Sequence, residues 1–182
     1  MARWTTARPI EQIEVSAYRI PTDAPEADGT YAWTATTLVL VEATGGGQRG
    51  LGYTYADTAT AQLIRDLLAA VVRVRNALDV PGCWAAMVHA IRNLGRPGIA
   101  AMAIAAVDVA LWDLPAGPSL HVAPCCAVPR LGPLEYFHDH MRIEHMLFKG
   151  ALTPGDGALH PDRSRPGLGL EVKRADAAPY AV

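Results

Sequence analysis

The chain has 182 residues with a formal net charge of −2, 51% apolar residue types and 19% charged ones. That length and apolar share allow one domain, or one and a fraction, around a sizeable core, while the charge excludes whole-molecule attraction to nucleic acid or an anionic membrane. No apolar run approaches the roughly 20 residues of a membrane span, and the longest, Gly98 to Leu111, is interrupted by Asp108.

In chain order, Ile10 to Ile20 mixes apolar and polar positions in a β-rich composition and reads as a strand. Pro21, Pro25 and Gly29 then predict a loop running to about Thr34. Thr36 to Glu42 is a β-branched apolar run, and Gly45-Gly46-Gly47 turns it back into Gly50-Leu-Gly-Tyr-Thr54 as a loose hairpin. Helical spacing follows. Thr58 or Thr60 can cap a helix carrying Leu63, Ile64, Leu67, Leu68, Val71 and Val72. Pro81 suits the first position of a helix from Gly82 to Leu94, with Trp84, Met87, Val88 and Ile91 on one side. Beyond Gly95-Arg-Pro-Gly98, an alanine-rich helix from Ile99 to Trp112 can approach its neighbours closely. Three strands followed by three helices is an α+β order.

The character changes at Leu114-Pro-Ala-Gly-Pro118, and prolines 124, 129 and 133 keep the next stretch short-pieced. Leu134 to Phe137 suggests a brief strand and Met141 to Phe148 a short helix. The remainder from Thr153 is rich in Gly and Pro and reads as extended surface chain. Cys83, Cys125 and Cys126 have no disulfide or zinc spacing, and the start, Met1-Ala-Arg-Trp-Thr-Thr, has no apolar signal-peptide core. The expectation is a reduced, cytoplasmic protein.

Two stretches carry a resemblance. Arg92 to Asp113 is similar to the last capping-domain helix of mandelate racemase and muconate-lactonizing proteins in the enolase superfamily. Gly50 to Ala56 resembles the strand and loop that lean over that family's active site. Leu134-Glu-Tyr-Phe-His-Asp-His140 with Pro161-Asp-Arg-Ser-Arg-Pro-Gly-Leu-Gly-Leu170 resembles its eighth barrel strand and closing segment. The resemblance implies a cap over a (β/α)-barrel, Mg²⁺ held by carboxylates at strand ends, and proton abstraction beside a substrate carboxylate by a Lys or His base.

A barrel needs about 200–250 residues, yet only 68 of the 182 residues follow Leu114. The resemblance therefore implies an internally truncated member: residues 1–114 a capping domain, 115–149 a remnant of the last barrel strand and helix, and 150–182 a segment returning to the cap. Lys149 and Lys173, the only two lysines, do not match the positions of the family base, so no Mg²⁺ or other cofactor is expected in this chain. Glu135 aligns with an eighth-strand glutamate that hydrogen-bonds a substrate carboxylate, or is an ordinary exposed glutamate. Tyr53 and Tyr55 lie in the cap loop that would face substrate, or cover the cap's own core. A small carboxylic acid or acid sugar is the implied ligand, and an exposed apolar face on the third helix implies self-association. Catalytic inactivity is the leading expectation. The alternatives are a racemase or acid-sugar dehydratase whose barrel another chain supplies, and a binding module without turnover.

Other patterns weigh less. His138, His140, Glu144 and His145 could offer metal ligands on one helix, but without the zinc-protease spacing they read equally as solvated polarity. Gly45-Gly46-Gly47 lacks the Lys-Ser/Thr of a phosphate loop. Ser119 and His121 have no nucleophile-elbow context. Arg163 and Arg165 read as a surface loop or as partners of cap carboxylates.

Overall fold

The computed structural model describes residues 7–114, 136–160, 162 and 164–182. Strand β1 (Gln12–Ala27), β2 (Ala32–Gly45) and β3 (Gln48–Tyr55) form one sheet in the order β1-β2-β3. The expected loop after Ile20 is instead the outer half of β1. Pro21 and Pro25 sit in a strand at the sheet's edge, the part of a sheet that tolerates proline. The turn into β2 is narrow: Asp28 Oδ1 accepts the N–H groups of Thr30 (2.6 Å) and Tyr31 (2.8 Å). β2 and β3 pair antiparallel from Leu38↔Tyr55 to Gly45↔Gln48. Gly46 (φ 57°) and Gly47 (φ 74°) close that hairpin as a tight two-residue turn, since two successive positive φ values match strand twist.

The chain divides into two compact units, which are not consecutive in sequence. The first comprises Met1–Arg19, Thr37–Pro115 and Val182, and the second comprises Ile20–Thr36 and Ala116–Ala181.

In the first unit, helical segments follow the sheet: α1 (Thr58–Leu63), a π-helical turn (Ile64–Leu68), α2 (Ala69–Val72), α3 (Val80–Ala90) and α4 (Ile99–Asp113). The α1 cap is Asp57, whose side chain accepts the Ala59 N–H at 2.8 Å, rather than Thr58 or Thr60. Ile64, Leu68 and Val72 are fully buried in the core. Asp79 caps α3 by accepting the Gly82 N–H (3.1 Å), and Pro81 stands in the first turn, where its missing N–H is harmless. That helix stops at Ala90, short of Leu94, as Ile91 leaves helical geometry (φ −89°, ψ 5°). Its inward face is Cys83, Met87 and Ile91. Trp84 is half-exposed, with the Arg96 guanidinium 5.0 Å above its ring.

The core lies between α4 and one face of the sheet. Val39, Val41 and Ala43 of β2 turn toward it, and in register with Val41 and Ala43 stand Gly52 and Gly50 of β3. A methyl group on Gly52 would overlap the Ala106 carbonyl and sit 2.6 Å from the Ala110 nitrogen; one on Gly50 would lie 2.7 Å from Leu114 Cα. Glycine on the strand and alanine on the helix thus bring main chain against main chain. The opposite side of α4 leaves Ile99, Met102 and Trp112 partly exposed.

In the second unit, α5 (His138–Leu147) runs into β4 (Phe148–Lys149), which pairs antiparallel with β5 (Glu171–Val172), before α6 (Arg174–Ala177) and a short 3₁₀ turn (Ala178–Tyr180). Ile143, Leu147, Phe148 and Ala177 are buried. The expected helix from Met141 to Phe148 is real but begins three residues earlier and ends one earlier. Tyr136 and Phe137 belong to no strand, although Phe137 is extended (φ −77°, ψ 119°), and the rest of the suggested Leu134–Phe137 strand lies outside the described residues.

Candidate functional site

The strand period decides where the tyrosines stand. Gly50 and Gly52 face α4, so Leu51, Tyr53 and Tyr55 take the other face of the sheet. Tyr53 lies opposite Leu40 and Tyr55 opposite Leu38, both fully buried leucines. The two rings meet edge to face, centroids 6.0 Å apart at 82°. Both tyrosines belong to β3 itself rather than to a loop beyond it. On the same face, buried Glu42 receives Arg49 Nη1 at 2.9 Å. Asp113, at the end of α4, accepts the Leu51 N–H at 2.7 Å and so fixes the start of the tyrosine-bearing segment. Glu135 lies outside the described residues, as do Cys125, Cys126, Ser119 and His121.

The acidic and histidine cluster of α5 is organised differently from a metal centre. Asp139 is fully buried and accepts Thr36 Oγ1 (2.6 Å), Arg142 Nε (3.1 Å) and Arg142 Nη2 (2.6 Å). Arg142 Nη2 also donates to the Pro21 carbonyl at 2.7 Å. His138 Nε2 stands 3.1 Å from Asp23 Oδ2, and this hydrogen bond holds the Asp23 carboxyl below its usual range. His140 packs edge-on against Phe137, and His145 Nε2 lies 3.3 Å from Thr153 Oγ1. Among the described residues, no three His, Cys, Asp or Glu side chains converge as metal ligands would. Sequence reasoning missed the Asp139–Arg142 pair; its Asp-x-x-Arg spacing was the available signal.

Lys173 Nζ donates to the His145 carbonyl (2.7 Å), and Arg165 bonds the Gly169 carbonyl (2.6 Å) and stands 3.9 Å from Asp162 within its own loop. Asp108, half-buried on α4, is the described carboxyl pushed upward: burial raises it, and a hydrogen bond to Trp112 partly offsets that. A carboxyl raised in this way keeps its proton to higher pH than free aspartate, but proton transfer to a substrate needs a partner group in reach.

A three-stranded antiparallel meander followed by helices, with its core between α4 and one sheet face, is an enolase-type capping domain. The family model for the mandelate racemase/muconate lactonizing enzyme N-terminal domain matches residues 12–120, that for the enolase C-terminal domain-like region matches residues 86–177, and the chain belongs to this family. A solved mandelate racemase/muconate lactonizing enzyme-like protein from Rubrobacter xylanophilus superposes with TM-score 0.89 at 27% identity, over 96% of this chain and 100% of that one. A 3,6-anhydro-α-L-galactonate cycloisomerase from Streptomyces coelicolor is 34% identical over 111 residues, covering 58% of this chain and 31% of its own. L-Talarate dehydratase from Polaromonas sp. JS666, solved with Mg and L-glucarate, matches with TM-score 0.58 and 26% identity over 68% of this chain and 36% of its own. The chain spans less than a third of the length of the curated relatives it matches.

Proposed function

We propose that this chain is an internally truncated family member that does not catalyse proton abstraction by itself and holds no Mg²⁺. One observation carries this reading: the buried carboxylates are already engaged. Glu42 pairs with Arg49, Asp113 takes a backbone N–H, and Asp139 is saturated by Thr36 and Arg142. A hard divalent cation needs several oxygen ligands on one centre, and these three carboxylates are tied to different elements. Outside the described residues the sequence adds one carboxylate, Glu135. The domain reading goes with the proposal: a cap of 1–114, a barrel remnant of 115–149 and a returning segment of 150–182. The match to all of the Rubrobacter chain supports the short arrangement as a fold in its own right.

What remains for such a chain is binding. The ligand class is a small carboxylic acid or acid sugar, supported by the L-glucarate in the dehydratase relative. Tyr53 and Tyr55, with Glu135, are the candidate contacts. Self-association through the outer face of α4 (Ile99, Met102, Trp112) fits its exposed apolar surface. A cytoplasmic location fits the absence of a membrane-spanning helix among the described residues. The second reading, a racemase or dehydratase completed by another chain, is favoured by the same magnesium-bound relative.

The test is proton exchange. Purified chain is incubated with glucarate in deuterated buffer with and without Mg²⁺, and α-proton loss is followed by NMR. No Mg²⁺-dependent exchange is expected, with glucarate binding detected by calorimetry. Turnover by the 182-residue chain overturns the proposal.

A further inference from the structure

We propose that the groove between the start of β1 and the π-helical turn through α2 is a binding site for a small organic dianion, a short chain with a carboxylate at each end. The groove has a volume of about 790 Å³ and lies wholly in the first unit. Arg65 and Arg73 line it together with Ile13, Ala69, Ala70 and the acidic Glu11. Eight residues separate the two arginines, about 12 Å along a helix at 1.5 Å per residue. Two cations separated along the chain, with apolar residues in the same lining, match a ligand with separated charges and a hydrocarbon spacer.

Both guanidinium groups are available. Arg65 gives Nε and Nη2 to the Val15 carbonyl, at 3.3 and 3.1 Å, which fixes its plane and leaves three of its five N–H donors. No ion pair forms at Arg65 or Arg73 among the described residues. Glu11 lines the groove with its Oε1 held by the Gly46 N–H at 3.0 Å, while outside the lining Glu14 accepts from Gln12 and Asp66 accepts from Gln62.

Two departures from regular backbone flank the same groove. Arg65 rides on the π-helical turn, and Val74, which also lines the groove, has φ 62°. A β-branched residue rarely adopts that conformation, and it persists here because Val74 N–H is bound by the Ile10 carbonyl at 2.9 Å. Irregularities of both kinds concentrate where ligands bind.

The experiment titrates succinate, adipate, acetate and inorganic phosphate into the intact chain at constant ionic strength, read by amide shifts of Gln12, Arg73 and Val74 and by calorimetry. Saturable one-site binding of a dicarboxylate, at least tenfold tighter than acetate, is the expected result. Arg73→Gln, an exposed substitution, should weaken it about tenfold without moving the melting temperature, since a charge-assisted bond is worth about that factor. Arg65→Gln should do the same, with its fold checked by circular dichroism. Shifts that chloride reproduces, tighter binding of phosphate than of either dicarboxylate, or unchanged affinity in Arg73→Gln would overturn the assignment.

Discussion

Replacing Gly52 by alanine tests the main-chain contact that organises the first unit. Gly52 has no positive φ, so its intrinsic effect alone would favour alanine by about 0.4–1 kcal/mol through the unfolded state. The native geometry opposes this. The added carbon would overlap the Ala106 carbonyl and stand 2.6 Å from the Ala110 nitrogen. Those atoms are helix backbone and cannot rotate away, while β3 is locked opposite Val41. Relief requires α4 to lift from the sheet, an overpacking cost of about 1–3 kcal/mol, here at the upper end. Subtracting the entropic gain leaves a net loss of about 2 kcal/mol, or a melting temperature lower by about 4–8 °C for a chain of this size. Thermal and urea unfolding by circular dichroism would measure it. Gly29→Ala is the control, because a methyl there meets nothing within 4 Å. A Gly52→Ala protein as stable as the parent would refute the close approach of α4 to β3.

Asp139→Asn should destabilise by about 2–3 kcal/mol in urea unfolding. That is less than the ~3–5 kcal/mol of a fully buried broken pair, because Arg142 is 21% exposed and keeps the Pro21 carbonyl. A change under about 1 kcal/mol would show that the pair does not hold α5 to the strands. Acid should weaken the second unit through three carboxylates held below their usual range: Asp23 by His138, Asp28 by Thr30, and Asp162 by Ser164. A lowered folded value means their contribution is present above the ordinary carboxylate range and lost as pH falls through the folded values. Carboxyl-carbon NMR titration should place all three below free aspartate; Asp23→Asn should flatten the acid slope, and an Asp23 titrating normally would contradict the His138 contact.

The strands and α4 were legible because their periods are strong: a β-branched run, three consecutive glycines and an alanine-rich helix each leave little choice. The prolines misled because proline marks a loop by default, and only the strand order reveals that β1 is an edge where it is tolerated. Spacing put Trp84 on one side of the helix with Met87, Val88 and Ile91, whereas its ring is half-exposed beneath the guanidinium of Arg96, twelve positions on. Tyr53 and Tyr55 could be found but not faced until Gly50 and Gly52 set the parity of β3. The Asp139 network joins Pro21, Asp23 and Thr36 to residues more than a hundred positions away, and no spacing rule spans that distance. Arg65 and Arg73 were equally hidden, since nothing periodic links them to Gln12 or Ile13.

The seam of glycine and alanine under α4 has an evolutionary corollary. Where two layers touch through peptide groups, the helix's inner residues are frozen at the smallest size, while its outer residues are under no such demand. Drift should therefore be uneven: exchange among apolar side chains of different size at Ile99, Met102 and Trp112 among homologues, beside near-invariance at Ala106 and Ala110.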